Sequence, residues 1–409
     1  MTIPMASTVA GLIADISDVG ADPVRGGFTR PIYSSADIDL RTWFVEQAER
    51  RSLDVETDRN GIIWAWWNPS RLPIMDAVVT GSHLDSVPGG GAYDGPLGVA
   101  TALVAVDHLV GRGVAPNRPL AIAVFPEEEG SRYGLACLGS QLLTGDVHPD
   151  RVRGLTDRDG VTFAELAARN GLDPERIGAD PDRLAGLGTF VELHVEQGRG
   201  LIDLEQPVAV GSSIIGHGRW MLSFRGQGNH AGTTLMHDRS DPMVAAAATV
   251  STVRTLAGRT TDARATVGRL DAVPGGTNVI ASRVDVWLDV RHPSDEVVAA
   301  LVADILDQAR VAAAAEGCQV TLTEASVSPT IAFDLELRDR LRSVLPDAPV
   351  LDTGAGHDAG VLGEHLPTSM LFVRNPTGIS HAPEEHVEDV DAETGAVALA
   401  DVLTDLLTH

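Results

Sequence analysis

Four apolar runs in this chain end in the same way. "MDAVVTGSH" (75–83), "PLAIAVFPEEEG" (119–130), "GTFVELHVEQG" (188–198) and "TSMLFVRN" (368–375) each read as a strand that stops in polar groups. Between the first two, "PLGVATALVAVDHLVGRG" (96–113) has helical spacing, a proline near its first turn and a glycine after its end. Strand, helix, strand in this order predicts an α/β domain with an open, mostly parallel sheet. Such sheets bind ligands outside the carboxyl ends of their strands, which is where the polar groups of this chain collect.

The middle of the chain follows another rhythm. "GRWMLSFRGQG" (218–228), "ARATVGRLDA" (263–272) and "NVIASRVDVWLDVRH" (278–292) alternate like half-exposed antiparallel strands. "DPMVAAAATVSTVRTLAG" (241–258) and "SDEVVAALVADILDQARVAAAAEG" (294–317) read as helices. The pattern predicts a compact α+β domain inserted at 212–325 into a discontinuous core of 1–211 and 326–409. The core resumes with helices near 334–345 and 392–407. "NGLDPERIGADPDRLAG" (170–186) is expected to be a polar surface excursion. There is no internal repeat and no low-complexity tract.

Composition narrows the classes of function. The 409 residues are 44% hydrophobic, enough to build full cores in two domains or in one domain with a large insertion. The formal charge is −26 and the chain contains no lysine. Nucleic acid and anionic membrane surfaces repel such a chain, so neither is expected as a partner. Without lysine there is no Schiff base, no pyridoxal-phosphate anchor and no P-loop lysine. Cys137 and Cys318 are too few for a disulfide framework and point to a reducing cytoplasm. The stretch "MTIPMASTVAGLIADISDVG" has no basic segment and no long apolar run, so no signal peptide is expected, and no segment reaches bilayer-spanning length.

The chemistry gathers on a few loops. "GSHLDSVPGGGAYDGPLGV" (81–99) crowds His83, Asp85 and Asp94 among glycines. Metal sites in enzymes draw neutral imidazoles and ionised carboxylates from distant strand ends and leave a position for water. The candidates are His83, Asp94, Glu128, Glu129, His194 and His381, each from a strand end or the loop after it. Glycines around Asp94 would let the backbone turn sharply and return its carboxylate to His83. Asp85, two residues beyond His83, suits an acceptor that fixes an imidazole tautomer. The three like charges of "PEEEG" repel one another unless a cation or protons neutralise them. A cation among these groups is therefore expected.

"GSHLDSVPGGGAYDGPLGV", "FPEEEGSRYG", "ELHVEQG", "NHAGTT", "GGTNVI", "LDVRH", "GAGHDA" and "SHAPEE" follow one another in an order and spacing that are specific together. Over nearly its whole length the sequence resembles the ureido-hydrolase branch of the M20 metallopeptidase superfamily. That branch contains N-carbamoyl-L-amino-acid hydrolases, allantoate amidohydrolases and β-ureidopropionase-like enzymes. The resemblance implies two divalent metal ions per subunit, zinc or manganese with cobalt or nickel also open, bridged by Asp94. His83 and His194 would be ligands in the two half-sites, with Glu129 and His381 completing them. Glu128 would be the general base, and Glu127 would stay outside the site. Related peptidases commonly carry aspartate where this chain has His194, which favours the ureido hydrolases.

The resemblance further implies that His230 donates to the growing charge on the carbonyl oxygen. Arg291 and Asn278 would bind the substrate carboxylate, Gln197 the ureido group, and Gly356 would offer backbone contacts. The inserted domain would act as lid and homodimer interface, carrying His230, Asn278 and Arg291 to the neighbouring subunit's site. The expected reaction removes the carbamoyl group of a small ureido carboxylate, an N-carbamoyl-L-amino acid or allantoate, as ammonia and carbon dioxide. Two departures lie around His230: Leu235 stands where proline is usual and Gly228 where alanine is common. An aminoacylase or dipeptidase of the wider superfamily, or a metal-binding protein without catalysis, are the alternatives.

Overall fold

The computed structural model describes residues 7–409; residues 1–6, the start of the expected core segment, lie outside the described residues. Along the chain the first strands are β1 (Asp54–Thr57), β2 (Ile63–Trp67), β3 (Ala77–His83), β4 (Leu120–Phe125), β5 (Leu187–Val195) and β6 (Val208–Ile214). Then come β7 (Gly216–Arg225), β8 (Asn229–His230), β9 (Arg264–Val273), β10 (Val279–Ile280), β11 (Arg283–His292) and β12 (Gln319–Ser328). The last are β13 (Ile331–Ala332), β14 (Val350–Thr353) and β15 (Thr368–Val373). Two compact units result, one of residues up to Ser213 together with Ala332–His409, the other Ile214–Ile331.

The first unit is organised by a nine-stranded sheet among the described residues, in the order β1-β2-β4-β3-β5-β15-β6-β13 with β14 beside β6. Its centre, β4-β3-β5-β15, is parallel, as the strand–helix–strand pattern predicts. The margins are antiparallel: β1 on β2, β2 on β4, and β6 on β15. The turn that makes the first margin possible is held by Asp58, whose carboxylate accepts from Asn60 N, Ile62 N and Trp64 Nε1. "IWAWW" is buried at every position and gives no alternation by which to read its direction.

The helix Pro96–Gly111 starts where the sequence places it, with proline in its first turn, and is buried along most of its length. It packs against the C-terminal helix Asp389–Thr408 and against β3 and β5, in a continuous apolar core. Gly98 is the point of closest approach: a Cβ there would lie 2.3 Å from the Leu193 carbonyl oxygen and 2.8 Å from Ser82 Cβ. The helix start is thus pressed onto the ends of the two strands that carry His83 and His194. The stretch 170–186 is more than a polar excursion. Ile177 is buried with Ile32, Tyr33 and Phe163, and Gly178 exchanges two hydrogen bonds with Asn60.

The second unit has a four-stranded antiparallel sheet, β12-β7-β11-β9, and a small ribbon, β8 on β10. The helices Pro242–Ala257 and Asp295–Ala315 share a core with one face of the sheet, through Leu222, Phe224, Val286, Leu288 and Val290. The stretch read as one strand from 278 is two, β10 and β11. The expected boundary at 325 falls inside β12, which runs on to Ser328. That strand is mostly exposed along its second half, so its apolar alternation fades there. No helix among the described residues is long and apolar enough to cross a membrane.

Gly98 gives a direct test of the close approach. Gly98→Val must push the helix off β5, and we expect denaturant unfolding to show a loss of about 1–3 kcal/mol, the usual range for overpacking.

Candidate metal centre

Parallel strands deliver their carboxyl ends to one edge of a sheet. Here β3 ends in His83, β4 runs into Pro126 and the three glutamates, β5 carries His194 beside its last residue, and His381 lies in the loop that follows β15. Asp94 returns to the same place because Gly95 has φ 84°, and a Cβ at Gly95 would sit 2.5 Å from the His83 ring. The two oxygens of Asp94 then face different partners. Its Oδ1 is 3.5 Å from His83 Nε2 and 3.2 Å from His194 Nε2, while Oδ2 is 3.3 Å from His381 Nε2. Glu129 Oε2 is 3.5 Å from the same His381 nitrogen. Two ligand sets follow, His83–Asp94–His194 and Asp94–Glu129–His381, each with atoms within 4.8 Å of one another.

The imidazoles are oriented by main chain. His83 Nδ1 faces the Asp85 carbonyl at 3.0 Å, and His194 Nδ1 faces the Val195 carbonyl at 3.0 Å. Each Nδ1 is thereby the donor, and each Nε2 lone pair points inward. Asp85 also keeps a carboxylate oxygen, Oδ1, 3.8 Å from His83 Nδ1. Its carboxylate accepts from Glu128 N at 3.1 Å and Glu129 N at 3.2 Å, holding the acidic turn, and its carbonyl serves the ring.

Charge and burial bear on what the centre holds. His83 Nε2 and His194 Nε2 are buried without a hydrogen-bond partner. Burial alone would raise the Asp94 carboxyl, but the closeness of the His194, His381 and His83 imidazoles holds it well below the usual range. Glu128, Glu129 and Glu192 are pushed up, chiefly by burial. His381 rises to about 9, mainly through its hydrogen bond with Asp94. Inward lone pairs among crowded acids are the donor set of a divalent cation, which would take the place of the protons these groups otherwise retain.

The remaining expected residues sort as follows. Glu128 is buried, with Oε2 3.7 Å from His83 Nε2. Glu127 points away and accepts from Arg132 N and Tyr133 N. Gln197 Nε2 donates to Asp94 Oδ2 at 2.9 Å and to Ser380 Oγ at 3.0 Å, so its amide supports the bridge between the two ligand sets. Gly356 is exposed, and nothing lies near enough to require glycine. On the second unit, His230 pairs with Val279 across the ribbon, and Ala231 N donates to the carbonyl of Asn278, so His230 and Asn278 are neighbours. Gly232 N donates to His230 Nδ1 at 3.0 Å, which leaves the ring proton on Nε2. Arg291 is held by Asp289 through Nε at 2.8 Å and Nη2 at 3.1 Å.

Four residues at the centre escape the sequence reading. His357 is buried with both ring nitrogens unpartnered, its Nδ1 3.8 Å from Glu128 Oε1, and burial holds its pKa well below the usual imidazole value. Glu192 stands two residues before His194 on β5, hence on the same face, a period-two signal that could have revealed it. It accepts from Ser82 Oγ and Ala359 N. Asp358 is buried and bonded to Ser140. Glu385, in "SHAPEE", accepts from Tyr93 N at 3.2 Å, Asp94 N at 2.9 Å and Ser380 Oγ at 3.0 Å.

An α/β unit with this centre at its strand ends fits a known class. The chain matches the model of peptidase family M20/M25/M40 over residues 79–405 and belongs to that family. Over its length it is similar to the N-carbamoyl-L-amino acid amidohydrolase of Geobacillus stearothermophilus, 32% identical with 95% of each chain covered. It is also similar to the allantoate amidohydrolase of Escherichia coli (strain K12), 30% identical over 96% of this chain and 95% of that one. Among solved structures it resembles an amidase of the hydantoinase/carbamoylase family from Burkholderia multivorans. That likeness has a TM-score of 0.86 at 29% identity, covering 99% of this chain and 100% of the other.

Glu385 touches no expected ligand atom, yet it holds the backbone of Asp94. We expect Glu385→Ala to weaken binding of a divalent ion by about 10–100-fold, the usual range for groups that support ligands, as read by calorimetric titration of metal-depleted protein with Mn²⁺.

Proposed function

We propose that the chain is a dimetal amidohydrolase. It removes the N-carbamoyl group from a small ureido carboxylate, an N-carbamoyl-L-amino acid or allantoate, and releases ammonia and carbon dioxide. The observation that carries this reading is the division of Asp94, one oxygen toward His83 and His194 and the other toward His381 beside Glu129. The named relatives support the substrate class. Two divalent ions per subunit, zinc or manganese with cobalt or nickel also suitable, would be held by these five residues. When bound, such ions polarise a carbonyl oxygen and lower the pKa of water.

The chain's own groups do the rest. Glu128 takes a proton from water as its oxygen attacks the ureido carbonyl, then passes that proton to the leaving nitrogen. Burial raises its pKa and suits it to hold the proton between the two steps. Neutral His357, beside Glu128, offers its unpartnered nitrogens to the ureido group. His230, with its proton on Nε2, donates to the oxygen on which negative charge grows. Arg291, its guanidinium plane set by Asp289, grips the substrate carboxylate with Asn278 beside it. The second unit serves as the homodimer interface and lid, and its His230, Asn278 and Arg291 complete the neighbouring subunit's site. Two buried free cysteines suit a cytoplasmic enzyme.

Three outcomes test the reading. Asp94→Ala should lose both ions, counted by plasma mass spectrometry, together with ammonia release; turnover that survives thorough chelation would sink the metal mechanism. Glu128→Gln should keep its metal while kcat falls on the order of 10²-fold or more. Mixing inactive Arg291→Ala with inactive Glu128→Gln subunits should restore activity, because one site of each heterodimer then has both an intact base and an intact arginine. Subunit exchange without recovery would place Arg291 in its own subunit's site or outside any site.

A further inference from the structure

One end of the second unit's open sheet face holds more arginine than its carboxylates can pair. The buried apolar residues of β7 and β11, such as Leu222, Phe224, Val286, Leu288 and Val290, point to the helices, so the alternate residues form the other face. Register places His217, Arg291 and Arg264 in one row across that face, and Arg219, Asp289 and Thr266 in the next. Asp289 serves two of these arginines: it binds Arg291 in two-pronged fashion, and its Oδ2 lies 3.4 Å from Arg219 Nε. Arg264 has no carboxylate within 4.0 Å among the described residues.

The rest of the face is closer to balance. Arg269 is paired with Asp271, and Arg283 with Asp285 at 3.0 Å. Arg225 and Arg283 also stand opposite one another, and among the described residues Asp285 lies within 4.0 Å of Arg283 alone. At the Arg291 end three arginines stand around Asp289, which lies within 4.0 Å of two of them. Like charges directly opposite in a sheet are destabilising, with Cβ atoms roughly 4.5–5.5 Å apart. In a lysine-free chain of charge −26, that concentration of cations is a local exception. His217 registers it: burial and the charges of Arg291 and Arg219 push its pKa down against the pull of Asp289.

We propose that Arg264 forms a second anion subsite beside Arg291, and that the preferred substrates are ureido compounds with two carboxylates, the N-carbamoyl derivatives of acidic amino acids. The inference rests on the reading of Arg291 as the ligand of the substrate carboxylate. Opposed guanidinium groups on neighbouring strands can converge on the two ends of a four- or five-carbon dicarboxylate, each gripping one carboxylate through its fork. The dianion also relieves the repulsion between the two arginines, so recognition and sheet stability favour the same ligand. An uncharged side chain in the same place leaves Arg264 to solvent alone.

The test compares N-carbamoyl-L-glutamate with N-carbamoyl-L-glutamine, near-isosteres that differ in one charge. The unmodified enzyme should favour the glutamate derivative in kcat/KM by about tenfold or more, the worth of a hydrogen-bonded charge, and Arg264→Gln should reduce that preference about tenfold. An enzyme that favours the glutamine derivative, or an Arg264→Gln variant with the preference intact, overturns the subsite. If no ureido compound is turned over, the reaction falls but the subsite is still tested, by calorimetry with glutarate. Glutarate binding weakened about tenfold in Arg264→Gln would keep the dianion site without the reaction. Binding that is absent, or equal in the two proteins, would end it.

Discussion

A nearly inaccessible carboxylate surrounded by three imidazoles sets the terms for the first unit. Asp94 is 3% exposed, and a lone buried charge of that kind is unfavourable unless opposite charge or donors surround it. His83, His194 and His381 supply that environment, but they come from β3, β5 and the loop after β15. The carboxylate is tolerable only if those strands are parallel and end together. The sheet order that places β3 beside β5 and β5 beside β15 is therefore a requirement of the site as much as of the core. Gly95 and Gly98 belong to the same constraint: one lets the chain turn over the His83 ring, the other lets the following helix close onto β5.

Polar support runs outward from that carboxylate. Gln197 holds one of its oxygens, Glu385 holds its main-chain amide, and Ser380 joins the two. On the other side Asp85 holds the amides of Glu128 and Glu129 while its carbonyl orients His83. Asp94, His83 and His194 are thus each fixed by a second contact that is not itself a ligand. Side chains anchored in this way cannot swing away to solvate their charge, and that keeps the centre prepared for a cation.

The strands of the parallel centre and the candidate ligands were legible because they share a signal. An apolar run ending in His or Glu marks both a buried strand and a site at its end. What was not legible depended on contacts that no local pattern records. Glu385 meets Asp94 across 291 residues of sequence, and nothing in "SHAPEE" says that its last glutamate folds back onto a distant main-chain amide. His357 reads as a polar residue in a glycine-containing loop, and only the fold shows that its ring is buried beside Glu128. β2 is buried at all five positions, so neither face nor direction could be read from it, and the antiparallel margin went unseen. β12 was not read as a strand, and the expected boundary at 325 falls inside it, where its second half is exposed and alternation no longer marks a buried face.

The glutamate triplet shows how backbone geometry turns repetition into separate roles. Three adjacent carboxylates on an extended strand would alternate sides, with the first and third together. Here Glu127 has φ 55°, a left-handed conformation uncommon for a residue with a side chain, and the alternation breaks at that point. Glu127 turns into the following loop and accepts from Arg132 N and Tyr133 N. Glu128 is released toward His83 and His357, and Glu129 toward His381. The amide bonds from Asp85 hold the turn open in this form. Strain of this kind persists only where surrounding contacts over-determine it, and here it turns Glu127 away from the two glutamates that face imidazoles. An acid run that would otherwise repel itself is divided among three environments, one of hydrogen-bond donors and two of imidazoles.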